Sequence, residues 1–412
     1  MTRTVHPFTR SPVHPFPGGS LTVLPRDPPP LEGIRVLDMS RVLAGPLCTM
    51  VLGDLGADVV KVEHPEGGDD TRRWGPPWVE GAGGRESAYF LCCNRNKRSV
   101  TADLKSEGGR ALARSLATAA DVLIDNFAPG TLARWGLDHA SLVADNPRLV
   151  SCTITGYGAE GPAAGRPGYD FTVQARAGWM AVTGEREGDP MKVGFALADV
   201  LTGQNAAIAI LAALRERERS GRGQSIEVTL LDSAVAGLVN VAQAALAGAT
   251  PARYGNAHPA IVPYQSFAAA DRPLVIAVGN DGQWRRLCGV LGLNALADDP
   301  RFATNPARVE NRGALIPLLA GRLAEQPATT WISELEAVDV PCELVQSVEE
   351  AMRDPALRER QGIWRMEGEG YGVVETIASP LRLERTPPRL RRPAPALGEH
   401  TEEVRAAGWG AG

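Results

Sequence analysis

The sequence predicts an α/β protein whose core is a doubly wound parallel sheet. Short β-branched runs alternate with helical stretches through the first half of the chain, and this alternation indicates parallel strands joined by right-handed crossovers. Polar loops with glycine or proline follow several of these strands, at the positions where such a sheet binds its ligand. Because 44% of the 412 residues are hydrophobic, the chain can bury a large core and divide into two lobes.

Each element of the alternation is predicted from its local pattern. The runs at 34–39, 58–63, 98–104, 121–125 and 149–155 are predicted strands, and the stretches at 46–56, which begins with proline, and 107–120 are predicted helices. A long helix at 203–219 carries an apolar stripe, and its charged end at 215–219 is typical of a solvated face.

The character of the chain changes after a short strand at 226–229. An Ala-rich helix at 232–247 and a loop with Gly, Pro and Asn at 248–263 predict a domain boundary. A strand at 274–278 and helices near 281–292, 307–324 and 331–338 predict a smaller second lobe. Short strands follow at 372–377 and 381–383, before a Pro-rich tail and a terminal helix.

Composition argues against several classes of function. A formal net charge of -5 gives no general basic face for a phosphate backbone, so nucleic acid is not expected as a partner. No uninterrupted apolar stretch approaches the roughly 20 residues that cross a bilayer, so we expect a soluble protein without membrane contact. The six cysteines form no C-x-x-C pair and have no histidine at ligand spacing, which predicts neither a disulfide framework nor a metal site.

The first 30 residues are expected to form a disordered extension. They are rich in proline, nearly free of acids, and lack the apolar region of a secretion signal. The run at 26–30 contains three consecutive prolines and is incompatible with the amphipathic helix of a transit peptide. Since free thiols suit a reducing compartment, we expect a cytoplasmic protein.

Three loops combine glycine or proline with polar groups near predicted strand ends, at 40–46, 166–170 and 196–203. The first has the position of a nucleotide-phosphate loop, yet it contains neither G-x-G-x-x-G nor G-x-x-x-x-G-K-[ST]. Dinucleotide and ATP binding are therefore not predicted. No Ser/His/Asp or Cys/His arrangement is recognisable, and a G-x-S-x-G elbow is absent from the sequence.

Two aspartates in the other loops have alternative interpretations. Asp199 lies between an apolar run and the long helix, where the helix dipole favours an ionised carboxylate that can act as a nucleophile. Aspartate at such a position also commonly caps the helix. Asp170 follows Gly-Tyr and could form a turn by bonding its own backbone. The local sequence leaves these alternatives open.

Short motifs follow one another in order along nearly the whole chain. They lie at 36–38, 44–46, 56–65, 96–99, 125–130, 146–149, 168–170, 198–203, 221–224 and 397–401. Together they resemble the family III CoA-transferases, a group that includes formyl-CoA transferase, carnitine CoA-transferase and α-methylacyl-CoA racemase. Their shared order is far more specific than any single motif.

The resemblance implies that Asp199 is the catalytic nucleophile. In the implied cycle Asp199 attacks an acyl-CoA thioester to form a mixed anhydride, and the CoA thiolate then attacks the aspartyl carbonyl. The acceptor carboxylate opens the resulting aspartyl-CoA thioester, and CoA passes to the acceptor through a second anhydride. Backbone N–H groups near the helix start are expected to stabilise the oxyanions.

Tyr169 and Asp170 are implied to support the nucleophile. Racemases of this group have a histidine at the position of Tyr169, because moving a proton between two faces of a carbon needs paired acid and base groups. The tyrosine favours CoA transfer, with an acyl-CoA racemase or isomerase as the alternative. The formyl-CoA branch has a glutamate at the position of Asp170. A CoA-binding protein without catalysis is a third hypothesis, which an intact Asp199 disfavours.

CoA is implied to be a substrate, and no permanently bound cofactor or metal is expected. The positions that match CoA-contacting segments of the family are Leu43, Ala44, His64, Ala102, Asp103, Lys105, Asn126, Phe127, Arg134 and Arg166. Arg134 is the strongest electrostatic candidate, because a guanidinium pairs well with phosphate oxygens. His64 stands where the family often has an arginine.

Family members form an interlocked homodimer, in which each chain threads a ring made by the other. The resemblance therefore implies a Rossmann-like large domain at 31–225, a smaller α+β domain with linkers at 226–344, and a C-terminal segment at 345–412 that returns to the large domain. Asn256 and His258 lie in a loop that looks like the one closing on the substrate in members that use succinyl-CoA and dicarboxylic acids. An acyl-CoA, with succinyl-CoA as the expected donor, and a carboxylic acid are thus the expected partners.

Overall fold

The computed structural model describes residues 27–81 and 84–410. Most of the predicted N-terminal extension, residues 1–26, therefore lies outside the described residues. Residues 27–30 lead directly into the fold: Glu32 N donates to Pro29 O at 3.0 Å, and Leu31 N donates to Leu55 O at 3.0 Å.

The strands of the described residues are short. They are β1 (Arg35–Asp38), β2 (Asp58–Glu63), β3 (Trp78–Gly81), β4 (Gly84–Ser87), β5 (Lys97–Thr101), β6 (Val122–Asp125), β7 (Val150–Thr155), β8 (Ser225–Thr229), β9 (Tyr264–Ala268), β10 (Pro273–Ala277), β11 (Cys342–Leu344), β12 (Ile363–Gly368) and β13 (Gly372–Ile377).

The helices of the described residues vary from one turn to 24 residues. They are α1 (Ala44–Asp54), α2 (Ala88–Leu91), α3 (Glu107–Thr118), α4 (Thr131–Trp135), α5 (His139–Leu142), α6 (Asp170–Arg176), α7 (Trp179–Val182), α8 (Leu197–Ser220), α9 (Leu230–Gly237), α10 (Asn240–Leu246), α11 (Asp281–Leu291), α12 (Asn294–Asp298), α13 (Asn305–Glu310), α14 (Arg312–Leu323), α15 (Ala328–Glu336), α16 (Val348–Arg353), α17 (Pro355–Glu359) and α18 (Thr401–Ala407). A 3₁₀ turn covers Asp70–Arg73.

Six strands form one parallel sheet in the order β5-β2-β1-β6-β7-β8. This is the doubly wound order, in which the strand sequence reverses beside the first strand. The predicted α/β fold on a parallel sheet is confirmed. Because the reversal lies between β1 and β6, the loops after these two strands are expected to flank a ligand crevice.

Two apolar cores lie on opposite faces of this sheet, because successive side chains of a strand point in opposite directions. On one face Val36 packs with Leu52 of α1 and Ile210 of α8. On the other face Leu37 packs with Leu116 of α3. Burying a side chain of this size contributes about 1.5–3 kcal/mol, so the two cores are the main support of the sheet.

A smaller unit is built on three antiparallel strands in the order β11-β10-β9. Trp284 of α11 and Trp331 of α15 are buried at its centre. Arg308 is fully buried beside them, and it donates to Val262 O at 2.6 Å and to Asp281 Oδ1 at 2.9 Å. These bonds tie the segment before β9 to the helical layer.

Residues from both ends of the chain form the large unit. β8 pairs with β7 in the parallel sheet, and Leu230 and Ala234 of α9 belong to its core, so the large unit continues past the boundary expected at 225. At the chain end, His400 N donates to Ser99 O at 2.9 Å. β8 and α9 therefore belong with the large unit.

By length and composition, α8 is the one helix of the described residues that could cross a membrane. Its Ala206, Ile210 and Ala213 are buried in the core against the sheet. Since a core helix of this kind passes the same test of length and composition, we interpret α8 as a core element of the large unit.

α1 and α8 approach each other closely at Gly203. A Cβ added to Gly203 would lie 2.6 Å from Ala44 O and 3.3 Å from Leu47 Cβ. A side chain at 203 would therefore push the two helices apart. The close contact brings the start of α1, with Ala44, beside the first turns of α8.

We expect Gly203→Ala to lower the free energy of unfolding by about 1–3 kcal/mol, because overpacking a tight contact forces the backbones to move. Urea unfolding followed by circular dichroism measures the change. Gly321→Ala is the matched control, since Gly321 is also helical but no atom lies within 4 Å of a Cβ added there. The control should gain up to about 1 kcal/mol of helix propensity. A Gly203→Ala protein as stable as wild type would contradict the close contact.

Candidate active site

The loop after β1 rests on a group of buried charged side chains. We call Asp38, Lys61, Glu63, Asp69, Arg72 and Lys97 the buried charge cluster, because each is at most 9% exposed. Lys97 Nζ lies 3.1 Å from Asp38 Oδ2, and Lys61 Nζ lies 2.9 Å from Asp69 Oδ2. Glu63 pairs with Arg72 at 2.8 Å. Each charge thus has a partner of opposite sign, as burial requires.

The buried charge cluster binds the backbone of the loop directly. Lys61 Nζ donates to Ser40 O at 2.8 Å, and Lys97 Nζ donates to Pro46 O at 2.9 Å. Val42 has a φ of 74°, a left-handed conformation that is unfavourable for a β-branched residue. Val42 N donates to Asp69 at 3.2 Å, so Asp69 stabilises this strained turn.

Electrostatic pairing favours the ionised forms of Asp38 and Lys61 within the buried charge cluster. Burial by itself would raise the pKa of the Asp38 carboxyl, but Lys97 and Lys61 lower this pKa well below its usual range. Burial would likewise lower the pKa of Lys61, but Asp69 and Asp38 raise it above its usual range. Asp38 and Lys61 therefore stay charged beneath the loop after β1 throughout the neutral pH range.

Asn126, which follows β6, holds the same loop from the other side of the strand reversal. Its Oδ1 accepts from Arg41 N at 2.9 Å, and its Nδ2 donates to Arg41 O at 2.7 Å. Asp125 fixes Phe127, because Asp125 Oδ1 accepts a hydrogen bond from Phe127 N at 3.1 Å. The loops after β1 and β6 therefore form one wall, at the place where the strand order predicts a crevice.

The local sequence pattern predicted that α8 begins at residue 203. The helix begins earlier, at Leu197. Its N-cap residue, Ala196, has no side-chain capping bond. Asp170, at the start of α6, supplies the cap: its Oδ1 accepts from Ala198 N at 2.8 Å and from Asp199 N at 3.3 Å. Because the cap comes from 28 residues away, no capping residue next to the helix marks its start.

This geometry excludes the helix-cap interpretation of Asp199 and the own-backbone turn interpretation of Asp170. Asp199 lies in the first turn of α8 and does not cap it, and Asp170 bonds α8 and not its own backbone. The Asp199 carboxylate has no hydrogen-bond partner among the described residues and faces a cavity. The amides of Ala198 and Asp199 are occupied by Asp170, so these two are not the oxyanion donors expected at the helix start.

The expectation that the helix dipole favours ionised Asp199 is wrong. Burial, and to a smaller extent the negative charge of Asp170, raise the pKa of the Asp199 carboxyl to about 7. Asp170 already occupies the positive end of the α8 dipole, and its charge opposes a second one nearby. The site therefore disfavours the ionised form of Asp199, relative to an exposed aspartate.

Two adjoining cavities open at the strand reversal. The first cavity has a volume of about 270 Å³, and the predicted residues that line it are Leu43, Ala44, Asn126, Phe127, Arg166, Tyr169 and Asp199. The second cavity has a volume of about 380 Å³, and the predicted residues that line it are His64, Ala102, Asp103, Lys105 and Phe127. Arg41 and Phe127 line both cavities, so the two adjoin at these side chains, and we call them together the groove.

Tyr169 lies at the rim of the first cavity. A Cβ added to Gly168 would lie 2.4 Å from Gly156 Cα, so the loop after β7 touches the segment before α6 through glycine backbone. This contact sets the position of Tyr169, whose side chain is 63% exposed. An exposed aromatic ring beside a polar cavity is available to a ligand or to another chain.

Three predicted residues lie away from both cavities. Arg134 of α4 donates to Thr131 Oγ1 at 2.9 Å and is exposed. Asn256 and His258 lie in a loop before β9, where the His258 ring is 5.4 Å from the Tyr264 ring. None of the three is among the residues that line either cavity. Within one chain, the structure therefore does not bring them to Asp199.

Two residues of the site were not singled out from the sequence. Arg41 belongs to the loop at 40–46, and a guanidinium at a strand reversal is a signal that was available. Gln174 contacts Asp170 from within α6, but a glutamine in a helix gives no such signal.

No group of three metal-binding side chains occurs within residues 27–81 and 84–410.

Comparison with known proteins identifies the family of this chain. The sequence profile of CoA-transferase family III matches residues 31–401. A succinate-glutarate CoA-transferase from Agrobacterium fabrum is 46% identical over 389 residues, which are 94% of this chain and 97% of that protein. A mouse succinyl-CoA:glutarate CoA-transferase is 40% identical over 376 residues, with 91% of this chain and 85% of that protein covered.

Solved structures give the same result. The crystal structure of a CAIB/BAIF family protein from Brucella suis is similar with a TM-score of 0.84 and 44% sequence identity, and the match covers 92% of this chain and 99% of that one. The profile match and the curated relatives thus extend over nearly the whole chain. The chain therefore belongs to CoA-transferase family III and is a CoA-transferase.

Proposed function

We propose that the protein moves CoA from succinyl-CoA to a small dicarboxylic acid, with Asp199 as the covalent nucleophile. The observation that carries the proposal is the carboxylate of Asp199, which faces the first cavity without a hydrogen-bond partner among the described residues. The substrate class is supported by the relatives named for succinate, succinyl-CoA and glutarate.

The proposed cycle conserves the thioester energy through four acyl exchanges. An Asp199 oxygen attacks the thioester carbon of succinyl-CoA and releases CoA thiolate, which leaves a succinyl-aspartyl anhydride. The thiolate attacks the aspartyl carbonyl, which releases succinate and gives aspartyl-CoA. The acceptor carboxylate then displaces the thiolate to form a second anhydride. Finally the thiolate attacks the acceptor carbonyl, which gives the new acyl-CoA and restores the Asp199 carboxylate.

The environment of Asp199 suits this chemistry. A carboxylate whose pKa is raised to about 7 is more basic than an ordinary one and remains partly ionised at neutral pH. Asp199 is only partly exposed, which limits the access of water to an anhydride at this position. Both properties follow from its position in the first turn of a core helix.

We expect Asp199→Asn to abolish CoA transfer, because an amide cannot form the anhydride. Asp232→Asn is the matched control, since Asp232 also lies in the first turn of a helix, α9, but is exposed; it should keep its activity. With wild type and succinyl-CoA, hydroxylamine or borohydride trapping followed by mass spectrometry should label Asp199. Transfer by Asp199→Asn, or α-proton exchange without an acceptor in place of transfer, would rule out the proposed function.

We propose that CoA lies across both cavities, with its thiol end in the first and its nucleotide end in the second. Arg41 lies where the two meet, and Asn126 clamps its backbone. The side chain of Arg41 is 50% exposed, and its Nη1 lies 3.2 Å from Asp70 Oδ2. A partly free guanidinium at this point is well placed for the CoA phosphates. His64 and Lys105 line the second cavity and supply further positive charge when protonated.

Arg41→Gln should raise the KM for succinyl-CoA about 10-fold or more, because a charge-assisted hydrogen bond contributes roughly 1.5–3 kcal/mol. Arg134→Gln is the comparison variant, since Arg134 was the electrostatic candidate from the sequence but lines neither cavity. Steady-state kinetics at varied succinyl-CoA measure both. A larger effect for Arg134 than for Arg41 would move the phosphate site to α4.

We propose that the active form is the interlocked homodimer that the family resemblance implies. This proposal is supported by α10, which has no buried residue in the single chain. Its apolar Leu246 is 83% exposed, and the neighbouring Val239 is 71% exposed. Exposed apolar surface of this kind is typical of a protein interface. In such a dimer, we propose, Asn256 and His258 approach the first cavity of the partner subunit.

Leu246→Lys should weaken the dimer and reduce transfer activity together, because it places a charge in the proposed apolar interface. Leu318→Lys is the control, since Leu318 is 48% exposed but lies on α14. Analytical ultracentrifugation should give the wild type twice the chain mass of 43.7 kDa. A fully active monomer would exclude the proposed arrangement.

We also propose a cytoplasmic location. The cysteines of the described residues are all free, which supports a reducing compartment. Acyl-CoA and carboxylic acid substrates are water-soluble metabolites, so this location agrees with the proposed reaction.

A further inference from the structure

Gln174 is a polar side chain that the packing hides completely. It lies in α6, about one helical turn after Asp170, and it is 0% exposed. A buried amide that lacks partners destabilises a protein. The partners of Gln174 therefore indicate why a glutamine is present at this point of the core.

The amide of Gln174 links α6 to the segment that enters α8. Its Nε2 donates to Asp170 Oδ2 at 2.6 Å and lies 3.4 Å from Phe195 O. Its Oε1 accepts from Val193 N at 2.8 Å. Both ends of the amide are thus engaged, and their partners lie at the start of α6 and in the segment that precedes α8.

The two oxygens of Asp170 consequently have different partners. Oδ2 accepts from Gln174, and Oδ1 accepts from Ala198 N and Asp199 N at the start of α8. A rotation of the Asp170 carboxylate would break both sets of bonds. Gln174 therefore fixes the plane of the group that caps the helix carrying the nucleophile.

We propose that Gln174 is a positioning residue for Asp199, and that it acts by holding the Asp170 carboxylate in its capping orientation. This inference rests on the proposed function, because it concerns Asp199 as the nucleophile. Gln174 itself lines neither cavity, so it acts only through Asp170.

Several charged or titratable groups surround Asp199. Asp170 faces it from α6, and Tyr89 faces it from α2, where burial and then the charge of Asp199 raise the pKa of the phenol. Arg41 and Arg166 line the same cavity, but Arg41 pairs with Asp70 at 3.2 Å and Arg166 lies over the Tyr157 ring at 5.7 Å. Asp170 is the charged group that both opposes ionisation of Asp199 and bonds its helix.

The test measures single-turnover acylation of the protein by succinyl-CoA as a function of pH, in Gln174→Met and Gln174→Asn. Neither side chain can supply the bond to Asp170 Oδ2, and Asn keeps an amide in the core if Met does not fold. We expect acylation to slow about 10- to 100-fold, as when a supporting hydrogen bond is removed. The acid limb of the profile, near pH 7 in wild type, should move to lower pH by about half a unit or more, because Asp170 is no longer held beside Asp199.

Two further variants separate positioning from a general loss of packing. Asp170→Asn should move the acid limb in the same direction, and Gln174→Asn should then shift it no further. Thr202→Val is the matched control: Thr202 is also fully buried and bonds Ala198 O at 2.7 Å, but it does not contact Asp170. It should change stability and leave the acid limb in place.

An unmoved acid limb in both Gln174 variants, or additive shifts with Asp170→Asn, would overturn the positioning role. If Asp199→Asn still transfers CoA, the proposed function fails, whatever the Gln174 variants do. If Asp199→Asn is inactive and the limb does not respond to Gln174, the positioning inference alone fails.

Discussion

The pairing of charges beneath the loop after β1 is the constraint on which the site depends. Asp38 and Lys97, with Lys61 and Asp69, have been removed from water, and leaving one buried charge without its partner typically costs about 3–5 kcal/mol. Their remaining bonding capacity is used on the loop backbone, including the strained Val42. One wall of the groove is thus held in place by the requirement that buried charges be neutralised.

On the other side of the groove, the carboxylates of Asp170 and Asp199 have different roles at the start of α8. Asp170 takes the amides of the first turn of α8, so Asp199 is left without a hydrogen bond among the described residues and faces the cavity. Burial and, to a smaller extent, the nearby charge of Asp170 make Asp199 harder to ionise. A capping interaction that stabilises the fold therefore also prepares the reactive group, which links helix stability to the proposed chemistry.

The strands of the parallel sheet were predicted well because each is a local β-branched run. The run at 58–63 coincides with β2, and the run at 121–125 differs from β6 by one residue. The start of α8 was missed, since its cap is supplied by Asp170 from another segment. The continuation of the large unit through β8 and α9 was also missed, because a change in composition does not reveal which sheet a strand joins.

The sequence by itself determined the fold class and the family resemblance, because these depend on local patterns and on the order of motifs, and the resemblance in turn supplied the proposal that Asp199 is the nucleophile. Tertiary structure decided which groups meet at the site. It placed Arg41, and not Arg134, among the residues that line both cavities, made Asp170 the cap of α8, and raised the pKa of Asp199 to about 7. Burial and contacts between distant segments set these properties, and neither can be read from a short stretch of chain.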